Sequence, residues 1–133
     1  MAGWLDFFGK KQVSQPYAYN LECTVHPLRI ASRGGDYAQL TIGLENSTDQ
    51  ELLTSLIIQL PKALGLDATG LQHEKETRLG LMKPGEKKVF VFNVYASRAG
   101  PGLYPVNIYA ASHYRDYGHV INETKKSLEL RVV

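Results

Sequence analysis

One cysteine, Cys23, has no partner in the chain, so no internal disulfide framework can form. Nor does any apolar run approach the ~18 residues of a membrane-spanning helix. The formal net charge is only +2. Lysines come as the separate pairs Lys10-Lys11, Lys87-Lys88 and Lys125-Lys126 rather than as one basic face. Phosphate backbones are held by concentrated positive charge, so nucleic acid is not an expected partner. The N-terminus carries no positive charge ahead of its short apolar piece, unlike a secretory leader. A cytoplasmic location is the expectation, and the lone thiol fits a reducing compartment. Asn46-Ser47-Thr48 and Asn122-Glu123-Thr124 match the glycosylation pattern. Without export they read as turn residues.

What the chain does contain is β-sized pieces. Hydrophobic residues make up 44% of it and charged residues 21%, enough apolar surface to build one core in 133 residues. Residues 1–16 stand apart as an apolar segment and linker, with the domain running from 17 to 133. If the first segment is helical, Trp4, Leu5, Phe7 and Phe8 form one apolar stripe. Beyond it, turn residues cut the sequence into runs. The expected strands are 17–30, 36–46, 52–60, 71–81, 87–96, 103–114 and 127–133. In the second, Ala38, Leu40, Ile42 and Leu44 alternate with polar residues. The third is nearly continuous apolar, as a central strand is. The fourth is polar enough for an edge. The fifth and sixth, divided by Gly100-Pro101-Gly102, read as neighbouring strands. About seven antiparallel strands joined by short turns predict an all-β, immunoglobulin-like sandwich, here without the inter-sheet disulfide of antibody domains.

Four stretches carry a closer likeness: Leu40–Asn46, Ile58–Pro61, Leu81-Met82-Lys83-Pro84-Gly85-Glu86 and Gly102-Leu103-Tyr104. On these, residues 38–133 resemble the Ig-like modules of the CARDB (cell-adhesion-related) and NPCBM-associated kind. Pro84-Gly85 suits a type II turn, Pro fixing one φ and Gly supplying a positive one. Tyr104 stands where sandwich domains place a corner tyrosine whose hydroxyl ties down a connection. The resemblance implies a spacer, adhesive unit or protein-interaction domain and carries no shared catalytic set. Standing as a single module, the chain is expected to bind something itself.

Candidate sites follow from residue type. Tyr114, Arg115, Tyr117 and His119 fall in the expected hairpin loop between the last two strands. Aromatic and Arg side chains in such loops anchor protein interfaces at low entropic cost. His113 and His119 supply two imidazoles at most, where zinc takes three or four ligands, so neither a metal nor another cofactor is expected. Cys23 alternates with Tyr19, Leu21 and Val25, which makes it a small buried hydrophobe facing away from His26 rather than a nucleophile. No glycine-rich phosphate loop precedes a helix. The chain reads as a non-enzyme.

Trp4, Leu5, Phe7 and Phe8 cannot all sit in water without forming an adhesive patch. Three destinations are open to them: the second face of strand 87–96, where Val89, Val91 and Tyr95 are too apolar for solvent; a neighbouring copy; or a membrane surface, with Lys10 and Lys11 near lipid phosphates. Ala2 stands where myristoylation needs glycine. The expected function is therefore a protein-binding or self-associating module. A membrane-peripheral protein anchored by the stripe, or a carbohydrate-binding module, is the alternative.

Overall fold

A computed structural model describes residues 18–32 and 35–133. Their strands are β1 (Tyr19–His26), β2 (Arg29–Ile30), β3 (Tyr37–Asn46), β4 (Leu52–Gln59), β5 (Glu74–Met82), β6 (Lys87–Tyr95), β7 (Gly102–His113) and β8 (Val120–Val132). No helix occurs among these residues. One sheet has three strands in the order β1-β3-β6; the other has five, in the order β2-β8-β7-β4-β5. Every pairing is antiparallel except β2 with β8, which is parallel. The chain is an immunoglobulin-like β-sandwich.

The alternation read in the sequence is what makes the two layers. Leu40, Ile42 and Leu44 of β3 meet Leu56 and Ile58 of β4 and Val106 and Ile108 of β7 in one core, with Leu130 and Val132 of β8. All are essentially solvent-free. Each such side chain is worth about 1.5–3 kcal/mol when fully withdrawn from water. The hydroxyl of Tyr19 joins the sheets through the core, 2.7 Å from Thr54 Oγ1. Cys23 is buried beside Leu21 and Val25, while His26 faces out from the far end of β1. Burial pushes the Cys23 thiol up to about 11, with Lys126 pulling the other way. Its labelling by a thiol reagent at pH 8 is therefore expected to be about 100-fold slower in the native protein than in urea, since thiolate and access both require opening.

Three expectations change in detail. The run 17–30 is not one interrupted strand. Proline at 27 removes a ladder donor, and the chain passes there from one sheet to the other: β1 pairs with β3, and β2 with β8. Strands 87–96 and 103–114 are consecutive but not hydrogen-bonded neighbours. β6 belongs to the three-stranded sheet and β7 to the five-stranded one. Finally, β8 begins at Val120, seven residues before the predicted strand. Its first half pairs with β7 while exposing most of its side chains, so it lacks the apolar alternation that marks a strand. Asn122 consequently lies within β8 rather than in a turn.

The turns behave as their residues dictate. Gly85 has φ +75°, and the Glu86 N–H donates to the Lys83 carbonyl at 3.0 Å, the closure of a type II turn at Pro84-Gly85. Tyr104 donates its hydroxyl to the Gly100 carbonyl at 2.8 Å, tying the β6–β7 connection to the strand it opens.

Candidate binding cleft beside the Tyr114–His119 loop

Residues of β4, β5 and the β7–β8 hairpin build this end of the molecule. A bulge at Leu79 shifts the register of β5 against β4, and Gly80 follows at φ +75°. Its N–H turns to the hydroxyl of Tyr117, 2.9 Å away, instead of to the ladder. Glycine reaches this left-handed backbone without the clash a Cβ would bring. Tyr117 thus pins the β7–β8 loop onto the outer face of the five-stranded sheet. Its ring lies edge-on to His113 at 5.0 Å and carries the Arg78 guanidinium at 4.8 Å.

Under that ring His113 is buried on a face that would otherwise be wet. His113 Nε2 and Ser55 Oγ are 2.7 Å apart. Ser55 is wholly solvent-free, and its hydroxyl links β4 to β7. The Nδ1 of His113 and the hydroxyl of Ser112 are buried without a protein partner.

The loop itself is tightly turned. Asp116 N–H donates to the Tyr114 carbonyl at 2.7 Å around Arg115, whose φ is +70°. That is the γ-turn of positive φ, the strained form of the two. Strain of this sort costs about 1–3 kcal/mol and persists where surrounding bonds hold it. Here they include Tyr114 N–H to the His119 carbonyl at 2.8 Å and Gly118 N–H to Asp116 Oδ1 at 2.9 Å. The same carboxylate oxygen meets His119 Nδ1 at 2.8 Å. That contact, with the Gly118 N–H, holds the Asp116 carboxyl below the usual carboxylate range.

Between the pinned loop and the β3–β4 connection opens a cleft of about 430 Å³. Its apolar walls are Leu53, Leu81, Tyr114 and Ile121, with Glu51 and Arg115 at the polar positions. Leu81, Tyr114 and Ile121 are 60%, 57% and 55% exposed, which is unusual for three large side chains around one hollow. A second bulge explains Ile121. Ser112 pairs with Asn122 and His113 with Val120, leaving Ile121 outside the ladder and facing the cleft.

The loop residues singled out in the sequence therefore divide. Tyr114 and Arg115 line the cleft, with the guanidinium 5.1 Å from the Tyr114 ring centre. Tyr117 is the clamp, and His119 is engaged with Asp116. Trp4, Leu5, Phe7 and Phe8 lie outside the described residues. Leu53, Leu81 and Ile121 were not anticipated; the alternation Leu79, Leu81 in a polar edge strand and the pair Val120-Ile121 just after a loop are the signals that point to them. Among the described residues, no three His, Cys, Asp or Glu side chains are grouped to hold a metal ion.

No family model and no curated protein matches the sequence. Solved structures are similar in fold. The CARDB domain of the PF1109 protein from Pyrococcus furiosus, solved in complex with di-metal ions, superposes with a TM-score of 0.57 at 18% identity. That match covers 90% of this chain and 95% of the CARDB domain. A segment of the Escherichia coli alpha-2-macroglobulin gives 0.63 at 19% identity, over 87% of this chain. This chain spans only 7% of the macroglobulin's length. The C-terminal domain of wzt gives 0.54 at 11% identity, covering 89% of this chain and 75% of that one. These likenesses are of fold.

Proposed function

We propose that this domain is a non-enzymatic binding module that receives an apolar segment of a protein partner in the cleft beside the Tyr114–His119 loop. One observation carries the reading: Leu81, Tyr114 and Ile121, each more than half exposed, converge on a single hollow of about 430 Å³. Water there is displaced at a gain, and an aromatic anchor surrounded by aliphatic walls is the usual composition of an interface centre. The Tyr117 clamp and the γ-turn at Arg115 hold the loop in place beforehand, which lowers the ordering cost of association. Glu51 and Arg115 offer one charge of each sign for orientation rather than for raw affinity.

A photo-reactive amino acid at position 114 tests this in cells. A discrete adduct is expected, absent when the same group stands at the exposed Glu74. Leu81→Asp combined with Ile121→Asp should weaken the interaction at least 10-fold, each lost anchor being worth about 1–2 kcal/mol. A second copy of the chain in the adduct identifies the partner as self. If position 114 yields no adduct above the Glu74 control, or the adduct survives the double substitution, the cleft is not the binding site.

A further inference from the structure

The outer face of the three-stranded sheet has a vacancy in its side-chain pattern. Register places Glu22, Gly43 and Val89 in one row across it, and Thr24, Thr41 and Val91 in the next. Val89 and Val91 are 62% and 53% exposed. Over the glycine lies a shallow groove lined by Glu22, Thr24, Thr41, Lys87 and Val89. The domain's own packing does not require a glycine there. A Cβ on Gly43 would meet only Lys87 Cε at 3.8 Å and the Glu22 carbonyl at 3.9 Å, ordinary contact, and its φ is not in the left-handed region. Glycine inside a strand costs about 0.5–1 kcal/mol relative to alanine. Where neither turn nor crowding explains it, close approach by another group is one of the recurrent reasons for it.

We infer that the groove over Gly43 is the docking site of the chain's own N-terminal stripe, Trp4, Leu5, Phe7 and Phe8, with an aromatic ring seated on the glycine beside Val89. Connectivity favours this occupant. Residues 1–17 lead into β1, and β1 is a strand of this same sheet. The Gly43 row lies four residues along from Ala18, about 13 Å, and β6 lies two strands across, about 10 Å. Residues 9–17 separate the stripe from Ala18, and nine extended residues span up to about 30 Å. The cleft beside Tyr114 is the competing seat: the Ser47 N–H donates to the Ala18 carbonyl at 3.0 Å, and the β3–β4 connection that begins there borders the cleft. Aromatic side chains laid over a strand glycine restore the cross-strand contact that the missing side chain forfeits.

Trp4 is the single tryptophan, so its fluorescence reports the stripe directly. In the full chain its emission should lie well to the blue of the urea-unfolded protein, with severalfold weaker acrylamide quenching. Both should be independent of concentration. Val89→Asp and Gly43→Val should each shift the emission to the red while far-UV circular dichroism stays that of the folded sandwich. Gly43→Val adds strand propensity as it fills the groove, so it carries the test if the aspartate variant fails to fold. Leu81→Asp should leave Trp4 unchanged.

Emission typical of exposed indole in the wild type would overturn the inference, as would no response to Gly43→Val. A blue shift that grows with concentration would give the stripe to a second copy. Response to Leu81→Asp instead of Val89→Asp would place it in the cleft. Either result overturns the groove over Gly43 as its seat.

Discussion

Asn46→Ala should lower the stability of the fold by about 3 kcal/mol, read as a drop in the urea midpoint at unchanged slope. Asn46 is almost completely buried at the end of β3. Its Nδ2 donates to the carbonyls of Gln50 and Met82 at 2.8 and 2.9 Å. Its Oδ1 accepts from the Thr48 N–H and hydroxyl at 2.9 and 2.7 Å. One side chain thus closes the β3–β4 connection on itself and joins it to the end of β5. Alanine leaves the Met82 carbonyl buried without that donor, and an orphaned buried group costs about 1–3 kcal/mol by itself. Asn46→Asp should be nearly as damaging, because a carboxylate cannot donate to two carbonyls. Thr48→Ala should cost less, since it removes one of the four bonds and leaves the Met82 carbonyl satisfied. If Asn46→Ala matches a surface substitution, within about 0.5 kcal/mol, this account of the corner is wrong.

Gly65→Ala should be the second large loss, about 2–3 kcal/mol, the upper part of the range for overpacking. Gly65 and Tyr95 exchange both backbone hydrogen bonds, at 3.0 and 2.7 Å, so the residue cannot shift freely. A Cβ there would stand 2.5 Å from the Gly70 Cα, against backbone rather than a yielding side chain. Gly70 is itself fixed by its N–H on the Asp67 carbonyl at 3.0 Å. The control is Gly35→Ala, where a Cβ meets nothing within 4 Å and no change is expected. Thermal melts of the two variants beside wild type suffice. Equal melting points would show that the 60–73 connection yields where the backbone contact says it cannot.

The fold was legible because burial of one face writes period-two alternation into the chain. β3 is the clearest case: Ala38, Leu40, Ile42, Leu44 and Asn46 are all buried on one side. The edge position of β5 also follows from its composition, and the roles of Pro84-Gly85 and Tyr104 from local chemistry. What was not legible depends on partners distant in sequence. The sheet change near Pro27 is a choice between two available edges, and a local run of residues does not encode it. The first half of β8 is held by main-chain bonds to β7, which leave its side chains free to be polar. The cleft shows the same division. Tyr114 and Arg115 announce themselves by type. Leu81 and Ile121 line the hollow only because bulges in β5 and β8 bring them there. The bond that Tyr117 accepts from Gly80 depends on the positive φ of that glycine, which its own neighbours in sequence do not announce.

The pairing of β2 with β8 has a consequence for assembly on the ribosome. Leu28 and Ile30 accept from the N–H groups of Arg131 and Val133 at 3.1 and 2.9 Å, and Ser32 donates to the Val133 carbonyl at 2.8 Å. The margin of the larger sheet is thus sealed by residues about a hundred positions apart. Synthesis must run through residue 133 before that seam can form, so this layer matures only after translation of the whole domain. Closing so long a loop is entropically slow, and until it happens the flank of β8 is open to strangers.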